Sequence, residues 1–297
     1  MASKIKYPIY IPSKGRSDTC LTALFFLNDG IHNFKIVVEP QEYKSYLENF
    51  DKKNILLLPE NNKGLTYSRL WIRKHSIKNG HKRHWQFDDN IRCMYRLNRG
   101  KRIRCNGRIG INAVEEFTDR YKNIGISGFN YSMFATSQIA KPYVVNCHVY
   151  SATLINNEMP YKWRTEFNND VDICLQVVTN GLCTVAFNAF VVDKMETMKM
   201  KGGNTGSHIK ENQRLKNAQE LAANWSEYVS VVWKFNRWHF SVKNGWKDFK
   251  HPLIKRSDID WDKIKQRRWP IKLKEIQPVK DNNLRNWCSL DRSYNSV

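Results

Sequence analysis

The sequence predicts an α/β fold: a mostly parallel, Rossmann-like sheet with helices on its faces, extended C-terminally by a basic, Trp-rich segment. Three observations predict it. From residue 7 to residue 87, short apolar runs alternate with stretches of helical periodicity, the pattern of βαβ units. Polar turns follow two of those runs, at the strand ends where open α/β sheets bind ligands. After residue 224 the composition shifts: seven of the ten Trp lie between Trp225 and Trp287, and sixteen Lys or Arg face eight acids.

The elements follow in order. Residues 7–11 (YPIYI) form a buried strand, and Pro12-Ser13-Lys14-Gly15-Arg16 the turn after it. Residues 18–28 place Leu21, Leu24 and Phe25 at helical spacing, with Ser17 or Asp18 as N-cap and Asn28-Asp29-Gly30 as the stop. A second strand (34–38), a helix (41–50), a third strand (55–58), a helix (68–79) and a short fourth strand (85–87) complete the alternation. Beyond residue 106 the expected elements are a helix at 112–120, strands at 124–129 and 143–150, and a helix within 167–180 stopped by Gly181. A strand at 184–192, the Gly-rich loop KGGNTGSH (201–208) and a helix at 209–223 come next. Residues 228–235 and 237–242 alternate about Asn236 as a β-hairpin, its turn type left open because Arg follows the Asn.

The bulk numbers narrow the class. With 41% hydrophobic and 12% aromatic residues the 297-residue chain is globular rather than disordered. No apolar run approaches the length of a membrane span. The N-terminus lacks the apolar core of a signal peptide, so the protein is expected to stay where it is made. Seven scattered cysteines without a CxxC pair read as reduced, mostly buried thiols rather than a zinc or disulfide framework. A formal net charge of +21 points to a polyanion: nucleic acid first, an anionic membrane surface second, or a basic surface without a specific partner.

Within that charge one exception stands out. Residues 69–108 hold thirteen Lys or Arg and two acids, and the two acids are adjacent: Asp88 and Asp89, in HWQFDDNI. Paired carboxylates closing a strand in basic surroundings suit a hard divalent cation, Mg²⁺ or Mn²⁺, which keeps phosphate oxygens as further ligands. A Gly/Lys/Arg turn at another strand end would hold the rest of a nucleoside diphosphate. The plainer reading of Asp-Asp-Asn is a turn or helix cap.

The motifs PIYIPSKGR, NNKGLTYSRLW, QFDDNI, TEFNNDVDICLQVVTNGLCT and KGGNTGSH, in that order, resemble a GT-A glycosyltransferase, and more narrowly the phage family of TET-associated DNA glycosyltransferases. The hairpin WKFNRWHFSV is similar to that family's C-terminal segment. The likeness covers about residues 5–250 and leaves the last fifty unmatched. The implied GT-A catalytic domain is expected over 1–224, and the shift in composition sets off 225–297 as a C-terminal extension expected to pack on it. The likeness also implies sugar transfer from a nucleotide-sugar, by default a UDP-sugar, to a hydroxymethylated pyrimidine of DNA in the cytoplasm of an infected bacterial host.

Carried over by position, the resemblance assigns Pro12, Ser13, Lys14, Gly15 and Arg16 to the nucleotide-binding turn, and Asn62, Gly64 and Arg69 to the nucleotide or sugar. For Arg69 the alternative is a DNA or solvent contact. Asp88, Asp89 and Asn90 match the metal and ribose motif, with Asn90 where the family more often has an acid. Asp170 and Asp172 match an acidic motif at a helix start. Asn169 stands there for an expected Glu, which leaves Asp170 as the catalytic base and Glu166 in reserve. Helix N-terminal charge is the alternative for both aspartates. Gly202, Gly203 and Asn204 would close over the pyrophosphate and bring His208 to the metal as a third ligand.

The chemistry expected of these parts is direct. A carboxylate takes the alcohol proton as attack develops, and cations stabilise the departing nucleoside diphosphate. A single base with direct displacement inverts the anomeric centre, whereas a retaining front-face route would leave Asp170 a positioning role. Arg92, Arg96, Arg99, Lys101, Arg102 and Arg104, with Lys234, Arg237 and Trp238 of the hairpin, are the expected DNA contacts. Trp163, Trp238 or Tyr131 would stack on an extruded base. Three rival readings share some of these features: a metal-dependent nuclease, a glycosyltransferase with a non-DNA acceptor, and a non-enzymatic DNA-binding protein. No obligatory protein partner is implied.

Overall fold

The computed structural model describes residues 4–98, 100–135, 141–195, 200, 202–203 and 212–266. Arg99, Asn204, His208 and residues 267–297 therefore lie outside the described residues.

The first half builds the expected alternation: β1 (Ile9–Pro12), α1 (Leu21–Asn28), β2 (Lys35–Val38), α2 (Tyr43–Leu47), β3 (Ile55–Leu57), α3 (Gly64–Lys78) and β4 (Arg83–Phe87). These strands lie side by side in the order β3-β2-β1-β4, all parallel, with Ile11 opposite Ile36 and Ile9 opposite Trp85. β1 and β2 are buried on both faces and so read as apolar runs, whereas β4 (RHWQF) buries polar side chains as well and the edge strand β3 exposes Leu57.

Beyond β4 the described sheet becomes mixed. It adds β5 (Ile91–Asn98), β6 (Lys101–Cys105), α4 (Gly107–Thr118), β7 (Ile124–Tyr131), β8 (Tyr143–Val145), β9 (Ala152–Asn156), α5 (Asn169–Thr179) and β10 (Cys183–Lys194). The full order is β3-β2-β1-β4-β9-β7-β10-β5-β6, with β8 on β10. β9 runs antiparallel to both β4 and β7, and β10 antiparallel to β5. Among the described strands of this half, only β7 and β10 pair in parallel. The core stacks Trp85 on Phe129 at 5.5 Å between ring centroids, with Phe87 and Phe26 against them.

Local departures from the expected elements have local causes. α1 starts at Leu21 behind Cys20 and has no side-chain cap, so neither Ser17 nor Asp18 caps it. The helix expected over 41–50 is a 3₁₀ turn at Pro40–Glu42 followed by the five residues of α2. The strand expected over 143–150 stops at Val145, where Asn146 takes φ 56°. The basic run after Asn90 is the hairpin β5–β6.

The C-terminal part holds α6 (Gln213–Asn224), β11 (Val229–Lys234), β12 (Arg237–Val242) and α7 (Trp261–Gln266). β11 and β12 form the anticipated hairpin, and its two central residues are Phe235 and Asn236, at φ 54° and 56°. Two positive φ values define a type I′ turn with Asn at the second place, so the Arg that follows belongs to β12. Val229 and Val242 pack with Leu221 of α6 and with Val171 and Leu175 of α5. Residues 225–266 are thereby seated directly on the sheet-bearing part.

Candidate active site

The turn after β1 and the turn after β4 meet because β1 and β4 are parallel neighbours. Ser13 Oγ donates to Asp89 Oδ2 at 2.7 Å, and the Arg16 guanidinium pairs with Asp89 Oδ1. Thr22 of α1 clamps the acidic turn: its hydroxyl donates to Asp88 O and accepts from Ile91 N. Burial pushes the Asp89 carboxyl up, although Arg16 and Ser13 favour its charged form. Lys14 Nζ reaches Glu39 and Asn62 at 2.9 and 2.8 Å.

Gly202 docks on this turn. Its Cα sits where Gly15 leaves room, Gly203 N donates to Lys14 O at 2.8 Å, and Arg16 donates to Gly202 O. A Cβ on Gly202, whose φ is 77°, would stand 2.5 Å from Gly15 O. Only glycine fits that approach.

Asp88 sits in a ring of donors. Lys194 Nζ and Ser151 Oγ donate to its Oδ2 at 2.7 and 2.6 Å, and Arg69 approaches Oδ1 at 3.4 Å. Burial alone would raise its carboxyl, but Lys194 and Arg69 hold it below the usual carboxylate range. Lys194 also reaches Ser151 Oγ at 2.8 Å and the Tyr131 hydroxyl at 3.1 Å. Burial lowers its ammonium, yet Asp88 and Tyr131 raise it further, so it stays charged. Neither Lys194 nor Ser151 is among the residues the sequence points to. Antiparallel register delivers both: Ser151 precedes β9, whose Ala152 faces Phe87, and Lys194 ends β10 opposite Ile91.

The opposite wall comes from α3 and α5. Arg69 points from α3 between Gln86 and Asp88 and lies 6.0 Å from the Trp163 ring, its Nε buried without a hydrogen-bond partner. Glu166 accepts from Leu65 N at 3.0 Å and so caps α3, and a Cβ on Gly64 would collide with it. Asp170 opens α5 and lines the same cleft. Its Oδ2 lies 3.1 Å from His148 Nε2, and its Oδ1 accepts from Val171 N. Burial opposes its charge, but His148, Arg69 and that N–H outweigh burial and hold the carboxyl well below the usual range. His148 in turn stacks on Trp246 of the C-terminal segment.

Together these residues enclose a cleft of about 640 Å³. Pro12, Ser13, Lys14, Arg16, Asn62, Gly64, Arg69, Asp88, Asp89, Asn90, Glu166, Asp170 and Gly203 all line it, as do the unanticipated Glu39, Ser68, Ser151 and Lys194. Asp172 does not. It is 0% exposed and is held by Arg164, Gln176 Nε2 and Trp225 Nε1, so it anchors the C-terminal segment instead of acting as a base. The i, i+2 spacing of Asp170 and Asp172 on α5 sends the two carboxylates to different sides. Glu166 serves as a helix cap. Trp163 is buried under Arg69 and presents no face for a base.

The expected DNA contacts divide. Strand alternation splits the basic run, with Arg96 and Lys101 on one face of the hairpin and Arg102 and Arg104 on the other. Arg92 pairs with Asp193 and Arg104 with Asp29, both at 2.7 Å, and Arg102 donates to Ser132 O. Residues 101–104 are exposed along the edge strand β6. Lys234, Arg237 and Trp238 stand near the exposed tip of β11–β12.

Four cations and five carboxylates meet in one cleft at the ends of β1 and β4, where an open α/β sheet binds its ligand, and the family comparison says which class of enzyme this is. The family model of the TET-associated glycosyltransferases matches residues 7–203, about two thirds of the chain. The chain belongs to the TET-associated glycosyltransferase family. Among curated proteins it is similar to the GREB1-like proteins of Mus musculus (26% identical over 226 residues) and Homo sapiens (25%), each over 64% of this chain. The chain spans about 12% of the length of those relatives. Among solved structures, mannose-1-phosphate geranyltransferase of Thermus thermophilus overlaps 63% of this chain and 58% of its own, at 10% identity and a TM-score of 0.30. Mannose-6-phosphate isomerase of Helicobacter pylori overlaps 85% and 95%, at 12% and 0.30. A TM-score of 0.30 defines no shared fold in either case. No described helix is long and apolar enough to cross a membrane.

Proposed function

We propose that the chain transfers a sugar from a nucleotide-sugar, with uridine diphosphate as carrier, to the hydroxyl of a 5-hydroxymethylpyrimidine in DNA, 5-hydroxymethylcytosine first, using a GT-A site with inversion at the anomeric carbon. The observation that carries this reading is the gathering of four cations and a separate carboxylate in one cleft. Lys14, Arg16 and Lys194 cluster at the β1 and β4 turns, paired with Glu39, Asp89 and Asp88, while Arg69 and Asp170 come from the α3–α5 wall.

The cations would take the pyrophosphate, whose charge grows as the bond from the anomeric carbon to the β-phosphate oxygen breaks. Asp170, ionised and beside His148, would receive the hydroxymethyl proton as the acceptor oxygen bonds to that carbon from the opposite face. Gly202 and Gly203, docked on the nucleotide turn, would exclude water from the pyrophosphate.

A divalent cation, Mn²⁺ or Mg²⁺, suits part of this donor set. Asn90 Oδ1 is buried without a hydrogen-bond partner, next to Asp88, whose carboxylate is 26% exposed. Among the described residues no three His, Cys, Asp or Glu side chains gather as a complete ligand set. Asp88 and Asn90 would hold the ion, with substrate phosphates completing its shell; it would supply Lewis-acid stabilisation of the leaving group. Asp89, tied to Ser13 and Arg16, orders the turn instead.

DNA as acceptor rests on the net charge of +21 and on the family. The reading places the reaction in the cytoplasm of an infected bacterial host. The test is nucleoside mass spectrometry after incubation with 5-hydroxymethylcytosine or 5-hydroxymethyluracil DNA and a panel of UDP-sugars, with Mn²⁺ or with chelator. A hexose or pentose mass on the modified base, absent with Asp170→Asn, is expected. Donor binding without any DNA product would move the acceptor elsewhere, and DNA cleavage independent of sugar would replace the reading with a nuclease.

A further inference from the structure

We propose that the tip of the β11–β12 hairpin grips duplex DNA beside the target base, with the Phe235 ring entering the base stack where the target nucleotide leaves it. The inference rests on the DNA-acceptor reading above and adds the element that opens the duplex.

Phe235 carries two costs that the fold alone does not need. Its φ of 54° is the left-handed conformation that bulky side chains avoid, at a turn position that prefers Asn, Asp or Gly. Its side chain is 85% exposed, the most exposed of the large apolar residues described. An exposed aromatic held in a rare backbone conformation, with two further exposed rings behind it, motivates a functional reading. Trp233 and Trp238 stand behind it as a T-shaped cross-strand pair at 5.1 Å, also solvent-exposed. Phe235 itself meets the His239 ring edge at 6.1 Å.

The charge around these rings is positive. Lys234 and Arg237 face each other across the hairpin immediately behind the turn. Burial lowers the imidazole of His239, and Arg237, Arg214 of α6 and Lys234 lower it further. Arg237 Nε donates to His239 Nε2. Interleaved aromatics and cations suit a stacked polyanion. An apolar wedge at a cationic tip is the device by which proteins unstack a duplex step. A hydroxymethyl group inside a duplex meets a carboxylate on the wall of a cleft most readily after extrusion.

The hairpin is also coupled to the catalytic wall. Val229 and Val242 at its base pack on Val171 and Leu175, in the helix that begins with Asn169 and Asp170. The side chain of cleft-lining Asn168 donates to Asn217 O of α6, which packs on both strands.

The test uses the full chain and a duplex with 2-aminopurine next to 5-hydroxymethylcytosine. Phe235→Asn removes the ring while supplying a residue the turn prefers, so its thermal midpoint is expected at or above wild type. It should lose the 2-aminopurine fluorescence rise on binding and lower sugar transfer to duplex by roughly ten- to a hundredfold. Transfer to the single-stranded oligonucleotide should persist, and Phe235→Trp should restore the duplex reaction. Unchanged fluorescence and duplex transfer in Phe235→Asn would overturn the wedge while leaving the acceptor reading standing, and would give the tip to a protein partner. Wild type that binds the duplex with no fluorescence rise overturns it equally. Wild type that modifies neither form of DNA overturns both proposals.

Discussion

Asp170 and Asp172 lie two positions apart, and the environment of each decides its use. Asp170 lines the cleft beside His148, whereas Asp172 is sealed under Trp225 and Arg164. Asp170→Asn should lower kcat by roughly 10²–10⁴-fold, as for loss of a general base, with UDP affinity by calorimetry unchanged. The carboxyls of Asp88 and Asp170 are both held below the usual range. Each contributes stability that is fully present above the unfolded-state value of about 3.9 and is lost as pH falls through the depressed folded-state value. Asp89, raised by burial, has the opposite sign: its contribution is present below the unfolded value and lost as pH rises through the folded one. Thermal unfolding followed from about pH 6 downward should therefore show the Asp170→Asn variant losing less stability than wild type. An equal loss in both would mean that the Asp170 charge is not favoured by its surroundings.

At the scale of elements, two contacts distinguish a built site from neighbouring loops. Gly202 lies against Gly15 O, so Gly202→Val should raise the KM for the nucleotide-sugar without changing the melting temperature by more than a few degrees. Steady-state kinetics at varied donor concentration tests this, and an unchanged KM would remove Gly202 from donor closure. Asp172 joins α5 to the segment after α6 through Trp225 Nε1 at 2.8 Å. Asp172→Ala leaves that N–H and the Arg164 guanidinium without their acceptor. Because the Arg164 side chain is 41% exposed and partly screened, a loss of about 1–3 kcal/mol is expected. Denaturant unfolding measures it, and limited proteolysis should show earlier cleavage after residue 224.

For the whole molecule, the charge of +21 sets the expected salt response. If DNA binding neutralises about five phosphates, log Kd against log salt should have a slope of about 4–5. Exposed Lys101 of β6 and Arg237 of β12 sit on separate hairpins. Replacing either by Ala should reduce the slope by about one while leaving UDP binding untouched. Arg92→Ala, which breaks a pair with Asp193, should instead cost stability. Fluorescence anisotropy across a salt series separates these outcomes.

The parallel half of the sheet, the turn at Ser13 to Arg16 and the acidic turn at Asp88 to Asn90 are legible in the chain, because each depends on a short apolar run and the residues directly beside it, whereas Asp170, at the start of α5, is singled out only by the family resemblance. The hairpin is legible through its alternation, though its turn type is not: Phe235, an unexpected residue at positive φ, hides the type I′ geometry. Lys194, Ser151 and His148 carry no local signal. They reach Asp88 and Asp170 through antiparallel pairing and loop packing across 106, 63 and 22 residues of sequence. Local pattern thus determined which strand ends border the cleft, while strand order and register decided which cations and hydrogen-bond donors surround them, since those depend on pairings that apolar periodicity does not encode.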